Sequence, residues 1–105
     1  MRFILDPDSP KEKYWLRRAS LDKIFKLAIL SPLDASRAEK ALEFLKNNYL
    51  TTDIHAPFIP AFYSDLPVLK FEGKHRLHAL KTLGCKEIAI GVPKKLNLST
   101  LEFLL

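Results

Sequence analysis

Cysteine is nearly absent from this sequence: Cys85 is the only one in 105 residues. That excludes an internal disulfide and a cysteine metal cage. Its place in LGCKEI, between an expected helix and an expected strand, suits a half-buried structural thiol. Glycine is scarce too, at 3 residues, and there is no Gly/Ser linker, repeat or low-complexity stretch. With no seam along the chain, one domain over residues 1–105 is expected. No apolar run approaches the ~18 residues of a membrane span. The N-terminus MRFILDPDSP carries too short an apolar patch for a signal peptide. A cytoplasmic protein with no membrane partner is therefore expected. His-Glu-x-x-His, paired acids at metal spacing and the Walker A loop are all missing.

The residues that are present describe a folded, basic chain. At 48% hydrophobic it can bury a core, although so small a domain keeps only a modest stability margin. The net charge is +5 and the isoelectric point about 9.4. That balance points to a phosphate-bearing partner, either nucleotide or nucleic acid.

Periodicity sets out the elements. RFIL at residues 2–5 suits a short strand, DPDSPKEK a turn, and YWLRRA an extended segment. Ser20 is placed to cap a helix with Leu21, Ile24, Phe25 and Ala28 on one face. Ser31-Pro32-Leu33-Asp34 predicts the start of the next helix, with Ser31 as cap and Pro32 at the first helical position. Its apolar face is Ala38, Ala41, Leu42, Leu45 and Tyr49, and Asn47-Asn48 ends it. TTDIHAP is expected to be a loop. FIPAFY and Val68–Phe71 predict strands around a Ser64–Pro67 turn that includes Asp65, the first of them irregular at Pro60. Lys74 to Leu83 predicts a helix closed by Gly84, and Ile88–Val92 a buried strand stopped by Pro93. Ser99-Thr100-Leu101-Glu102 forms a capping box. The expected fold is α/β (α+β), a small mixed sheet with helices. A right-handed β-α-β crossover would make Val68–Phe71 and Ile88–Val92 parallel.

The chemistry concentrates in FEGKHRL, where a strand is expected to end and a helix to begin. The first amides of a helix lack internal acceptors and the dipole there is positive. Gly73 lets the backbone bend close to a ligand. Lys74, His75 and Arg76 add donors, Arg76 as a fork and Lys74 as a point charge. Cations at a helix start oppose its dipole by about 0.3–1 kcal/mol each. Three in a row make poor sense for stability alone, and a bound anion offsets the conflict.

The run VLKFEGKHRLHALKTLGCKEIAIGV resembles the signature segment of the ParB/sulfiredoxin superfamily, D-G-x-H-R-x-x-A-x-x-x-L-G-x-x-x-I-x-V. Glu72, Gly73, His75, Arg76, Ala79, Leu83, Gly84, Ile88 and Ile90 carry the likeness, over about 25 of 105 residues. The resemblance implies a compact ParB/sulfiredoxin-like fold with Gly73, Lys74, His75 and Arg76 as a phosphate-binding loop. It also implies a nucleotide such as ATP or CTP, with Mg²⁺, or a nucleic acid, as ligand. Sulfiredoxin chemistry is excluded, because Lys74 stands where those enzymes keep their catalytic cysteine. The family's usual Asp is Glu72 here. Partition proteins of the family continue into a helix-turn-helix domain, for which this chain is too short, so DNA binding of that kind is not expected.

On these grounds the expected function is a phosphate-binding module in DNA or RNA transactions. An alternative is a small Mg²⁺-dependent enzyme with Glu72 and His75 as catalytic groups and Glu72 as metal ligand. Another is a protein-interaction domain that keeps the fold, with a protein partner or as a homodimer. Asp53, His55 and His78 are candidates to flank the loop. Arg17-Arg18 and Lys94-Lys95 would extend a basic surface. Tyr14 and Trp15 suit core or rim positions better than stacking platforms.

Overall fold

The computed structural model describes residues 2–27, 32–48, 53–60 and 71–96. Within them the order is β1 (Arg2–Ile4), β2 (Tyr14–Ser20), α1 (Leu21–Leu27), α2 (Ala35–Asn48), β3 (Asp53–His55), α3 (Lys74–Thr82) and β4 (Glu87–Pro93). The class is α+β. Strands β1 and β3 pair in parallel, Phe3 opposite Ile54. Strands β2 and β4 pair antiparallel over their whole length, from Tyr14 opposite Pro93 to Ser20 opposite Glu87.

The chain leaving β3 joins the two pairs. The Ala56 amide donates to the Ile4 carbonyl at 2.8 Å. Gly91 then donates to the Pro57 carbonyl at 2.9 Å and accepts from the Ile59 amide at 3.0 Å. On its other side Phe58 exchanges two backbone bonds with Glu72, at 2.8 and 3.1 Å. Residue 58 thus sits between β4 and the residue before Gly73, and this places the start of α3 relative to the sheet.

Both faces of β4 are buried, as its apolar run implies. Ile88, Ile90 and Val92 meet Leu21 and Ile24 of α1, Leu45 of α2 and Leu77 and Leu80 of α3 in one core. Cys85 is partly buried against it. Helix α1 is capped as expected, Ser20 Oγ accepting from the Lys23 amide at 3.4 Å. Helix α3 closes in a Schellman motif. Gly84, at φ 84°, donates to Lys81, and the Cys85 amide donates to Leu80. Among the described residues no helix is long and apolar enough to cross a membrane.

The expected elements shift in three places. The part of FIPAFY within the described residues, 58–60, is not a strand and makes only isolated bridges from Phe58 to Glu72 and to Gly91. TTDIHAP contains a strand and is not simply a loop, because Asp53–His55 pairs with β1. Helix α2 begins at Ala35 with Asp34 as its cap, Asp34 Oδ1 accepting from the Arg37 amide at 3.0 Å. Pro32 and Asp34 instead bond to α3 through their backbone groups. Ser31, Tyr49, Asp65, residues 68–70 and the Ser99–Glu102 capping box lie outside the described residues. So does the body of the strand expected before Glu72.

Candidate phosphate-binding cleft

Gly73 precedes the first turn of α3 with φ 95° and ψ 30°, a left-handed conformation that favours glycine. It supplies no side-chain cap, so the first amides of α3 are left for something else to satisfy. The left-handed turn also makes room for Arg76. A Cβ on Gly73 would stand 2.7 Å from Arg76 Nη2 and 3.0 Å from its Nε.

Arg76 folds back across Gly73 because two acceptors hold it there. Its Nη1 donates to Asp6 Oδ2 at 3.1 Å and to the His55 carbonyl at 2.7 Å. Asp6 in turn orders its own turn, Oδ1 accepting from the Asp8 amide at 3.0 Å. His55 Nδ1 lies 3.7 Å from the same Asp6 carboxylate. One guanidinium therefore ties the 6–9 turn and β3 to α3.

The two basic residues before Arg76 reach α2. Lys74 Nζ donates to the Pro32 carbonyl at 2.9 Å. His75 Nε2 accepts from the Asp34 amide at 3.1 Å. A neutral imidazole accepting at Nε2 carries its proton on Nδ1. The starts of α2 and α3 are thereby drawn together, and neither helix has an acidic residue in its first turn.

Beside this junction opens a cleft of about 970 Å³. Glu72 through Arg76 line one part of it, and Arg37 and Ala41 of α2 another. Asp6, Asp8, Pro10 and Lys13 contribute from the 6–13 turn, with Tyr14, Phe58, Pro60 and Phe71 as the less polar wall. Tyr14 is fixed by its hydroxyl, which donates to the Ile59 carbonyl at 2.9 Å, and its ring meets Phe58 edge-on. Among the described residues no carboxylate pairs with Lys13 or Arg37.

The structure brings Glu72, Gly73, Lys74, His75 and Arg76 onto one cleft. It sets the flanking candidates apart. His55 reaches the loop only through Arg76. Asp53 pairs with Arg2 at 3.0 Å on the outer edge of β1 and β3. His78 turns toward α1, its ring edge-on to Phe25 at 4.9 Å. Lys13, Arg37, Asp6 and Asp34 join the site without having been singled out. Arg37 had one available signal, its place three residues after a capping acid.

The pKa of His75 is held below its ordinary value of 6.5. Burial is the largest cause, followed by the charges of Arg37 and Lys74, and Asp34 opposes them. The hydrogen bond from Asp34 asks for the same neutral form. A folded-state value below the unfolded one means that the stabilisation is complete above pH 6.5 and is lost as pH falls through the folded value. His78 shifts the same way, through burial and then Lys81. The thermal midpoint should fall between about pH 7 and about pH 5.5, and should fall less in His75→Gln. An equal fall in both proteins would show that His75 does not contribute.

Among the described residues no group of three or more His, Cys, Asp or Glu side chains could hold a metal. Both Asp6 oxygens are engaged, which leaves Glu72 and Asp8 as the remaining carboxylates of the cleft. Such donors fit a Mg²⁺ carried largely by phosphate oxygens, not a cage built by the protein alone. Neither known protein families nor curated proteins give a match to this chain.

Proposed function

We propose that this cleft binds a phosphate group of a nucleotide or nucleic acid. The observation that carries the reading is the uncapped start of α3, drawn against the start of α2, beside a cleft that holds Lys13 and Arg37, neither paired with a carboxylate among the described residues. The start of α3, which no side chain caps, favours an anion through its dipole and open amides, whereas the start of α2 already carries the Asp34 carboxylate. His75 carries a proton on Nδ1, which suits it to donate to an oxygen rather than to act as a base through Nε2. The ParB/sulfiredoxin resemblance supports the same loop, and membership of that superfamily is part of the proposal. A nucleotide such as ATP or CTP would bring its Mg²⁺ with it, with Glu72 as the carboxylate next to Gly73.

Arg37 is the cation to remove first, because it is exposed and no described carboxylate relies on it. Arg37→Ala should weaken binding of pyrophosphate or ATP about tenfold, the effect of one charge-assisted hydrogen bond, at an unchanged thermal midpoint. Titration calorimetry of wild type, Arg37→Ala and Lys13→Ala, with and without Mg²⁺, reads this directly. Wild-type affinity in both variants, or no binding by the wild type, overturns the reading.

A further inference from the structure

The outer edge of the second strand pair carries a feature that the cleft does not use. Strand β2 pairs with β4 along one side, and among the described residues nothing pairs with its other side. Trp15 on this strand is 41% exposed. An exposed tryptophan leaves a large apolar ring in water, so its surroundings matter. Two cations surround it, Lys94 Nζ at 4.4 Å from the ring centroid and Arg17 Cζ at 5.3 Å. Neither is paired with a carboxylate among the described residues, whereas the neighbouring Arg18 lies 3.8 Å from Glu87.

We propose that Trp15, Arg17 and Lys94 form a docking strip for single-stranded nucleic acid, with a base stacked on the indole and phosphates on the two cations. Stacking on an aromatic ring requires a base free of its own duplex, and the flanking charge requires a polyanion. A base entering the stack displaces the more distant cation, Arg17, toward the adjoining phosphate. The strip lies close to the cleft along the chain, on the strand face opposite that of Tyr14, which lines it. Lys13 lines the cleft and its carbonyl accepts the Lys94 amide at 2.8 Å. Trp15 follows two strand residues later, about 7 Å along the chain. The strip goes beyond the cleft reading and rests on different side chains, so either can fail alone.

The chain has 1 tryptophan and 3 tyrosines, so fluorescence excited at a wavelength that tyrosine does not absorb reports on Trp15 alone. The test titrates the whole protein at low salt with a short labelled oligothymidylate and with a duplex of the same length, following tryptophan emission and oligomer anisotropy. Saturable quenching by the single strand is expected, with affinity falling steeply as salt rises. Trp15→Ala should raise the dissociation constant about tenfold, Trp15→Phe should stay close to wild type, and Lys94→Ala should give a shallower salt slope. Arg37→Ala should keep the quenching whatever happens to pyrophosphate binding. Oligomer bound without quenching overturns the proposal. So do equal quenching by duplex, unchanged affinity in a folded Trp15→Ala, and no binding at low salt. Self-association through the β2 edge in place of oligomer binding has the same consequence.

Discussion

Gly91→Ala is expected to lower stability by about 1–3 kcal/mol, the usual cost of forcing extra volume into a packed interior, and Gly91→Val by more. A Cβ on Gly91 would stand 2.8 Å from the Cβ of Phe58. Neither partner can retreat. Gly91 is bonded to Pro57 and Ile59 through its backbone, and Phe58 is bonded to Glu72 on its far side. The thermal midpoint of Gly91→Ala should drop by roughly 5–20 °C. The damage should also reach the cleft, since Phe58 and Glu72 set where Gly73 begins the helix. Phosphate affinity measured well below the midpoint should therefore weaken in a variant whose altered residue is not itself a lining residue. A Gly91→Ala protein as stable as wild type would mean that β4 and residue 58 are farther apart than described.

Arg76→Ala should cost about 1.5–3 kcal/mol, the range for hydrogen bonds to charged groups. The guanidinium has a structural task that the sequence pattern conceals. It holds Asp6, whose side chain is only 13% exposed, and the His55 carbonyl. Removing it leaves that carboxylate partly buried without its cation. The loss should depend on Asp6, so a cycle of Arg76→Ala, Asp6→Ala and the double variant should show coupling of about 1 kcal/mol or more. Additive losses would refute the tie. A fall in ligand affinity in Arg76→Ala therefore counts as binding only after the stability loss is measured, and Arg37→Ala is the cleaner probe of the cleft.

Much of the second half of the fold was legible in the chain. The 74–83 spacing, Gly84 and the apolar run at 88–92 act over a few residues each, and α3, its Schellman ending and β4 follow them. Local signals failed where long-range pairing decided. Asp53–His55 is short and polar at both ends, and becomes a strand only because β1, some fifty residues earlier, offers a parallel partner. The expected cap of α2 was Ser31, but Asp34, read there as the acid of the first turn, takes the capping place. Local preference ranks them equally, and the helix starts after Asp34 with the preceding backbone bonded to Lys74 and His75.

The candidate site divides along the same line. That Gly73 turns the chain and that three basic residues stand at a helix start could be read from the chain, because both depend on neighbours along the backbone. What each of the three does depends on partners far along the chain. Arg76 turns inward to an acid 70 positions away, Lys74 and His75 reach across to α2, and Lys13 and Arg37 come to the cleft from distant segments. Spacing along a helix fixes which way a side chain leaves the backbone, but not which charge from elsewhere in the chain waits there. That depends on how the described strands and helices close over one core.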